Sequence, residues 1–137
     1  GSGVAHSEFN NSEENGVHFL QMWVMPNAQN TAPGYQQKSF ISNDNRNVLV
    51  LAISPDGAEG SLQIKQNARM YIGKFDEDRG TTLTTQAGRK YWLQVAQGHM
   101  TVNGEIAKAG DGFAIKDEDA IVLKSITEAD VVLFDLP

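Results

Sequence analysis

From Val48 to the C-terminus, apolar residues come in short runs broken at regular intervals by turn chemistry. Val48 to Ile53 is continuously apolar and stops at Pro55-Asp56-Gly57. Leu62 and Ile64 alternate with polar neighbours, as do Met70 and Ile72, and Tyr91, Leu93 and Val95. Met100 and Val102 lead into Asn103-Gly104, the strongest two-residue hairpin signal because both positions tolerate positive φ. Ile121-Val122-Leu123 and Val131 to Leu136 complete the series. Between them stand the turn signals Asp76-Glu77-Asp78-Arg79-Gly80, Ala87-Gly88-Arg89, Ala109-Gly110-Asp111-Gly112 and Lys116-Asp117-Glu118-Asp119. A period of two with turns every ~8–12 residues predicts an all-β jelly-roll sandwich. No apolar stripe at helical spacing runs for three turns.

The first 25 residues read differently. His6-Ser7-Glu8-Phe9 enters the polar loop Asn10-Asn11-Ser12-Glu13-Glu14-Asn15-Gly16, and Val17 to Met25 is apolar on both alternating faces. That run predicts a strand covered on both sides. Residues 26–47 carry Pro26, Pro33, Gly34 and many amides, so they read as a linker with at most one helical turn, at Tyr35 to Lys38. The division expected is therefore 1–25, 26–47 and a domain at 48–137.

Composition narrows the field. At 137 residues with a hydrophobic fraction of 40%, the chain has the size and apolar content of one folded domain. Eleven basic against 17 acidic residues give a net charge of −6, and no Lys or Arg run forms a patch, which argues against nucleic-acid binding. Neither a membrane-spanning apolar window nor a secretory leader is expected. Cysteine is absent, which fits a reducing cytoplasm.

Chemistry concentrates at His6-Ser7-Glu8. Residues i and i+2 of an extended chain point to one side, so imidazole and carboxylate project together. They are two members of the 2-His-1-carboxylate set that holds non-haem Fe(II). A hairpin joining 6–9 to 17–20 would set His18 opposite Glu8 as a third ligand, or simply as a capped strand residue. His99 reads as an exposed hairpin residue. Trp23 and Trp92 offer a lining for a flat aromatic ligand, or core packing. Gly110-Asp111-Gly112 lacks phosphate-loop context, and Asp117-Glu118-Asp119 lacks EF-hand spacing, so both read as turns. No Gly-x-Ser-x-Gly elbow supports serine hydrolysis.

Several stretches together resemble the pirin-like bicupin family. Gly1 to Asn10 is similar to the segment closing the metal site of its N-terminal cupin, and Val17 to Trp23 to the strand that follows. Ser54-Pro55-Asp56-Gly57, Trp92 to Gly98, Val102-Asn103-Gly104, Ala109 to Gly112 and Leu133 to Pro137 resemble its C-terminal cupin. The resemblance implies one mononuclear metal, Fe(II) or another divalent ion, held by a His-x-His pair and a later His-x-Glu. Only the later pair, His6 and Glu8, would lie here, and the upstream pair would precede residue 1. It further implies quercetin 2,3-dioxygenase-type activity on a flavonol, or a metal-dependent regulatory role without turnover. His18 is not a ligand in that pattern.

The C-terminal barrel departs from a metal-binding cupin. Tyr91 stands where the ligand glutamate would, six residues intervening before Gly98, and Thr84 to Ala87 holds no imidazole. That barrel is therefore expected to be a scaffold, with Tyr91 a packing or hydrogen-bonding residue. Residues 17–25, uncovered, are expected either to pack on that barrel's sheet or to pair with a second copy as a two-fold homodimer.

Overall fold

The computed structural model describes residues 3–137. Ten strands follow one another: β1 (Leu49–Ser54), β2 (Leu62–Gln63), β3 (Arg69–Phe75), β4 (Gly80–Thr84), β5 (Lys90–Gln97), β6 (His99–Val102), β7 (Glu105–Lys108), β8 (Gly112–Lys116), β9 (Ala120–Ser125) and β10 (Ala129–Leu136). They form a six-stranded sheet in the order β2-β1-β3-β10-β5-β8 and a four-stranded sheet in the order β4-β9-β6-β7. All pairings are antiparallel except β1 with β2. The fold is thus the all-β jelly-roll sandwich that the alternating pattern predicts. Among the described residues no helix is long and apolar enough to cross a membrane.

The sheets face each other across one core. Tyr91, Leu93 and Val95 point inward from β5 and Val131 and Leu133 from β10, while Met100, Val102, Ile121 and Leu123 meet them from the second sheet. Alternation puts Trp92 on the outer face between buried Tyr91 and Leu93, as the period of two requires. β10, paired by β3 and β5, buries every inward position and Val132, while Asp130, Phe134 and Leu136 on its outer face are half-buried.

The turns form where their residues demand. Asn103 (φ +48) and Gly104 (φ +89) close the β6–β7 hairpin with the paired positive φ values of its favoured turn. Gly98, at φ +78 between β5 and β6, is a glycine because a Cβ there would collide with the Glu128 carbonyl. The apolar pattern does not single out β4, β7 and β8. Each is an edge strand paired on one side only, so half or more of its side chains face solvent.

Upstream of β1 the structure corrects three expectations. Val17 to Met25 is not a strand, and no hairpin joins 6–9 to 17–20; residues 3–42 contain no strand. A backbone apolar on both faces needs cover on both, and the described residues provide none for most of this run: Val17, Phe19, Leu20, Met22, Trp23 and Met25 are all exposed. The Tyr35–Lys38 helical turn is also absent. A single 3₁₀ turn forms instead at Asn43–Asn45, where Ser42 caps the Asp44 amide and the Asn45 side chain returns to the Ser42 amide.

Candidate metal pair and the barrel beside it

His6 and Glu8 lie in an extended stretch and project to the same side, as their i, i+2 spacing predicts. The His6 Nδ1–H donates to Glu8 Oε1 at 3.2 Å, and both side chains are more than half exposed. Two donor atoms at that separation have the spacing of neighbouring ligands on one ion, roughly 3.0–3.4 Å for metal–ligand distances of ~2.0–2.2 Å. The pair therefore fits two coordination positions, and a metal taking them would displace the Nδ1 proton. His18 is exposed and does not join them. No group of three or more His, Asp or Glu side chains is arranged to hold a metal among the described residues.

The interior of the barrel is hydrocarbon. Phe75, Leu93, Val95, Met100, Ile121 and Leu133 have no exposed surface. Tyr91 is buried at one end of β5, and its hydroxyl oxygen accepts from the Gln86 amide at 2.9 Å. It is the packing and hydrogen-bonding residue that its sequence position led one to expect. Thr84 to Ala87, the stretch without imidazole, is the end of β4 and the turn that supplies this bond. His99 opens β6, exposed, with its backbone bonded to Ile126 and Thr127. Asp111 and Asp117 shape turns, Asp111 by accepting from the Lys108 amide at 2.9 Å and Asp117 by adopting φ +58.

Neither tryptophan enters the core. Trp92 faces outward from β5 and Trp23 is 84% exposed, yet both line one apolar groove of about 450 Å³ with Met22, Val24, Met25, Phe134 and Leu136. The downstream end of the apolar run thus lies against the outer face of the six-stranded sheet. Two polar contacts hold that end: Gln66 Nε2 donates to Met25 O at 2.8 Å, and Asn27 N to Lys65 O at 2.8 Å.

Two polar assemblies escape the sequence. Arg46 Nη2 pairs with Asp76 Oδ1 and reaches Glu128 Oε1 at 3.2 Å, and Lys74 Nζ joins Glu128 at 3.1 Å. Asn47 adds a reciprocal bond to Asp76, side chain to carboxylate and backbone amide to side chain, each 2.8 Å. Hydrogen bonds from Arg46 and Asn47 hold the Asp76 carboxyl below its ordinary pKa; those from Lys74 and Arg46 do the same for Glu128. Partners 30 and 82 residues apart leave no local signal. The second assembly has one. Asp135, a carboxylate inside an apolar strand, is 3% exposed and takes Arg89 Nε at 2.5 Å, with Arg69 at 3.7 Å. A lone acid in such a run points to a buried cationic partner.

The family model for the quercetinase C-terminal cupin domain matches residues 51–136. A quercetin 2,3-dioxygenase of Escherichia coli K12 is 36% identical across the whole chain, which covers 58% of that relative. A pirin-like protein of Caulobacter vibrioides is 32% identical over 98% of the chain and 58% of its own length. The crystal structure of bacterial pirin YhhW from Escherichia coli with nickel(II) superposes with a TM-score of 0.77 at 36% identity, covering 84% of this chain and 48% of that one. The chain therefore spans a little over half the length of these curated relatives.

Proposed function

The chain belongs to the pirin-like family of cupins, as its quercetinase C-terminal cupin domain, and from that premise we propose that it is the scaffold half of a mononuclear metal protein acting on flavonols. The observation that supports this reading is a contrast: a candidate donor pair, His6 and Glu8 hydrogen-bonded at 3.2 Å, stands outside a barrel whose core is lined largely by hydrocarbon. Residues 1–25 would then be the terminal strands of a second cupin, 26–47 the linker and 48–137 the C-terminal domain.

A bound divalent metal such as Fe(II) would supply a Lewis-acidic centre open to a chelating flavonol and O2. His6 would give it a neutral imidazole nitrogen once Nδ1 is deprotonated, and Glu8 an anionic oxygen. The Gln66 and Lys65 contacts tie the chain to the barrel at Met25 and Asn27, downstream of the pair. The absence of cysteine supports a cytoplasmic setting.

Oxygen uptake with quercetin separates the halves. The metal-loaded full-length protein is expected to consume O2 and to lose that activity in Glu8→Ala, while this chain alone shows no turnover. Turnover by the chain alone would overturn the assignment. Calorimetric titration of the chain with Fe(II) or Zn(II) should show weak binding, since two protein ligands leave most of the coordination sphere to water. A tight stoichiometric site would instead bring His18 back as a third ligand.

A second reading, an interaction module without turnover, draws on the exposed aromatic groove. Trp23, Met25 and Trp92 form an apolar surface suited to a second copy of the chain. Light scattering is expected to give a dimer that Trp23→Glu shifts to monomer; a monodisperse monomer at high concentration would rule this reading out.

A further inference from the structure

The chain contains two Asn-Gly pairs, and the fold treats them in opposite ways. In such a pair the glycine nitrogen reaches the preceding side-chain amide with little obstruction, because glycine carries no Cβ. Asn103 is locked against this. Its Oδ1 accepts from Val122 N at 2.7 Å, its Nδ2 donates to Ala120 O at 3.2 Å, and its own amide donates to Val122 O at 2.9 Å. The side chain is in effect an additional rung on the edge of β9, and its Cγ cannot turn towards Gly104 without breaking two of those bonds.

Asn15 has the same chemistry and no lock. It lies in the exposed stretch without strand structure. Its backbone N–H donates to Ser12 Oγ at 2.9 Å, and its carbonyl accepts from Asn10 Nδ2 at 2.7 Å. Its side-chain amide has no partner among the described residues, and the space around Gly16 is open.

We infer that Asn15 is a site of spontaneous deamidation in the folded chain and that Asn103 is protected from it. The Gly16 nitrogen gives up its proton to a solvent base and forms a bond to Asn15 Cγ. The Cγ–Nδ2 bond breaks, and nitrogen leaves as ammonia after taking a proton. Water then opens the cyclic imide at either carbonyl, leaving aspartate or isoaspartate, with no oxidant or reductant involved. The product places a new carboxylate beside Glu13 and Glu14, between the His6–Glu8 pair and His18. Isoaspartate also routes the backbone through the side chain, so the bonds to Ser12 and Asn10 lose their register and the loop opens.

The test is peptide mapping by mass spectrometry of the whole chain aged in mildly alkaline buffer, with and without urea. In the native chain Asn15 is expected to convert at least about tenfold faster than Asn103, since reaching the reactive geometry at Asn103 requires local opening against two hydrogen bonds. In urea the two rates should converge, and Asn15→Gln should abolish the N-terminal product alone. Equal native rates would overturn the inference. So would a difference that survives in urea, because neighbouring residues rather than the fold would then set it.

Discussion

Phe75 ends an alternating strand and Phe19 sits in a continuous apolar run, yet Phe75 is wholly buried while Phe19 is 57% exposed. The difference lies in what stands opposite. Phe75 ends β3, which is paired on both sides by β1 and β10 and closed over by the second sheet. Phe19 belongs to a run with no ladder partner, so its backbone groups turn to solvent and its side chains find cover only where Met22 to Met25 meet the outer sheet face. Apolar patterning proposes a strand; a partner edge and a facing sheet make one.

The sharpest way to break this comparison is to truncate one residue in each region. Phe75→Ala is expected to cost about 3–5 kcal/mol, and Phe19→Ala to stay within about 0.5 kcal/mol. Urea unfolding curves of the two variants check this, and comparable losses would mean that the upstream segment has a core of its own. Next in size is Asp135→Ala, which strands Arg89 in a site that is 11% exposed. About 3 kcal/mol should be lost, and removing both charges with Arg89→Met and Asp135→Leu should recover much of it.

The smallest effect concerns the junction of the two regions. Asp76 and Glu128 have folded pKa values held below their ordinary ones, so their contribution is present above the unfolded values and is lost as pH falls through the depressed folded ones. The clamp on Arg46 and Asn47 should therefore survive near pH ~4, the ordinary carboxylate range, and release only below it. Hydrogen exchange at the Asn47 amide, which donates to Lys74 O at 2.8 Å, should lose its protection relative to the intrinsic rate there while the Leu93 amide stays protected. Release of Asn47 above the ordinary range would show that the clamp does not depend on those carboxylates.

These contrasts also explain what could be read in advance. Central strands such as β5 and β10 announce themselves because covered faces need apolar side chains. The turns announce themselves because positive φ selects Gly and Asn, as at Asn103-Gly104. The edge strands β4, β7 and β8 were silent, since one-sided pairing and solvent contact relax their composition. At the candidate site, the His6–Glu8 juxtaposition follows from adjacency in the chain alone. The placement of His18 does not, because it depended on a hairpin that the structure does not form. The Arg46–Asp76–Glu128 clamp was illegible for a related reason: three parts of the chain far apart in sequence meet there, and each charge taken alone resembles any solvated one.

β10 lies in the middle of the six-stranded sheet, between β3 and β5, although it is the last of the ten strands to leave the ribosome. On the ribosome, β1 to β3 and β5 with β8 would therefore wait as two separate half-sheets, each showing an unpaired edge. Closure comes only when Leu136 has cleared the exit tunnel. The route to the folded barrel is then dominated by late, long-range pairing, which slows folding and prolongs the exposure of sticky edges. A nascent chain stalled before β10 emerges would hold nine of the ten strands and not yet a barrel, which makes translation pace through the codons of this one strand, as much as any side chain, a determinant of the yield of folded protein.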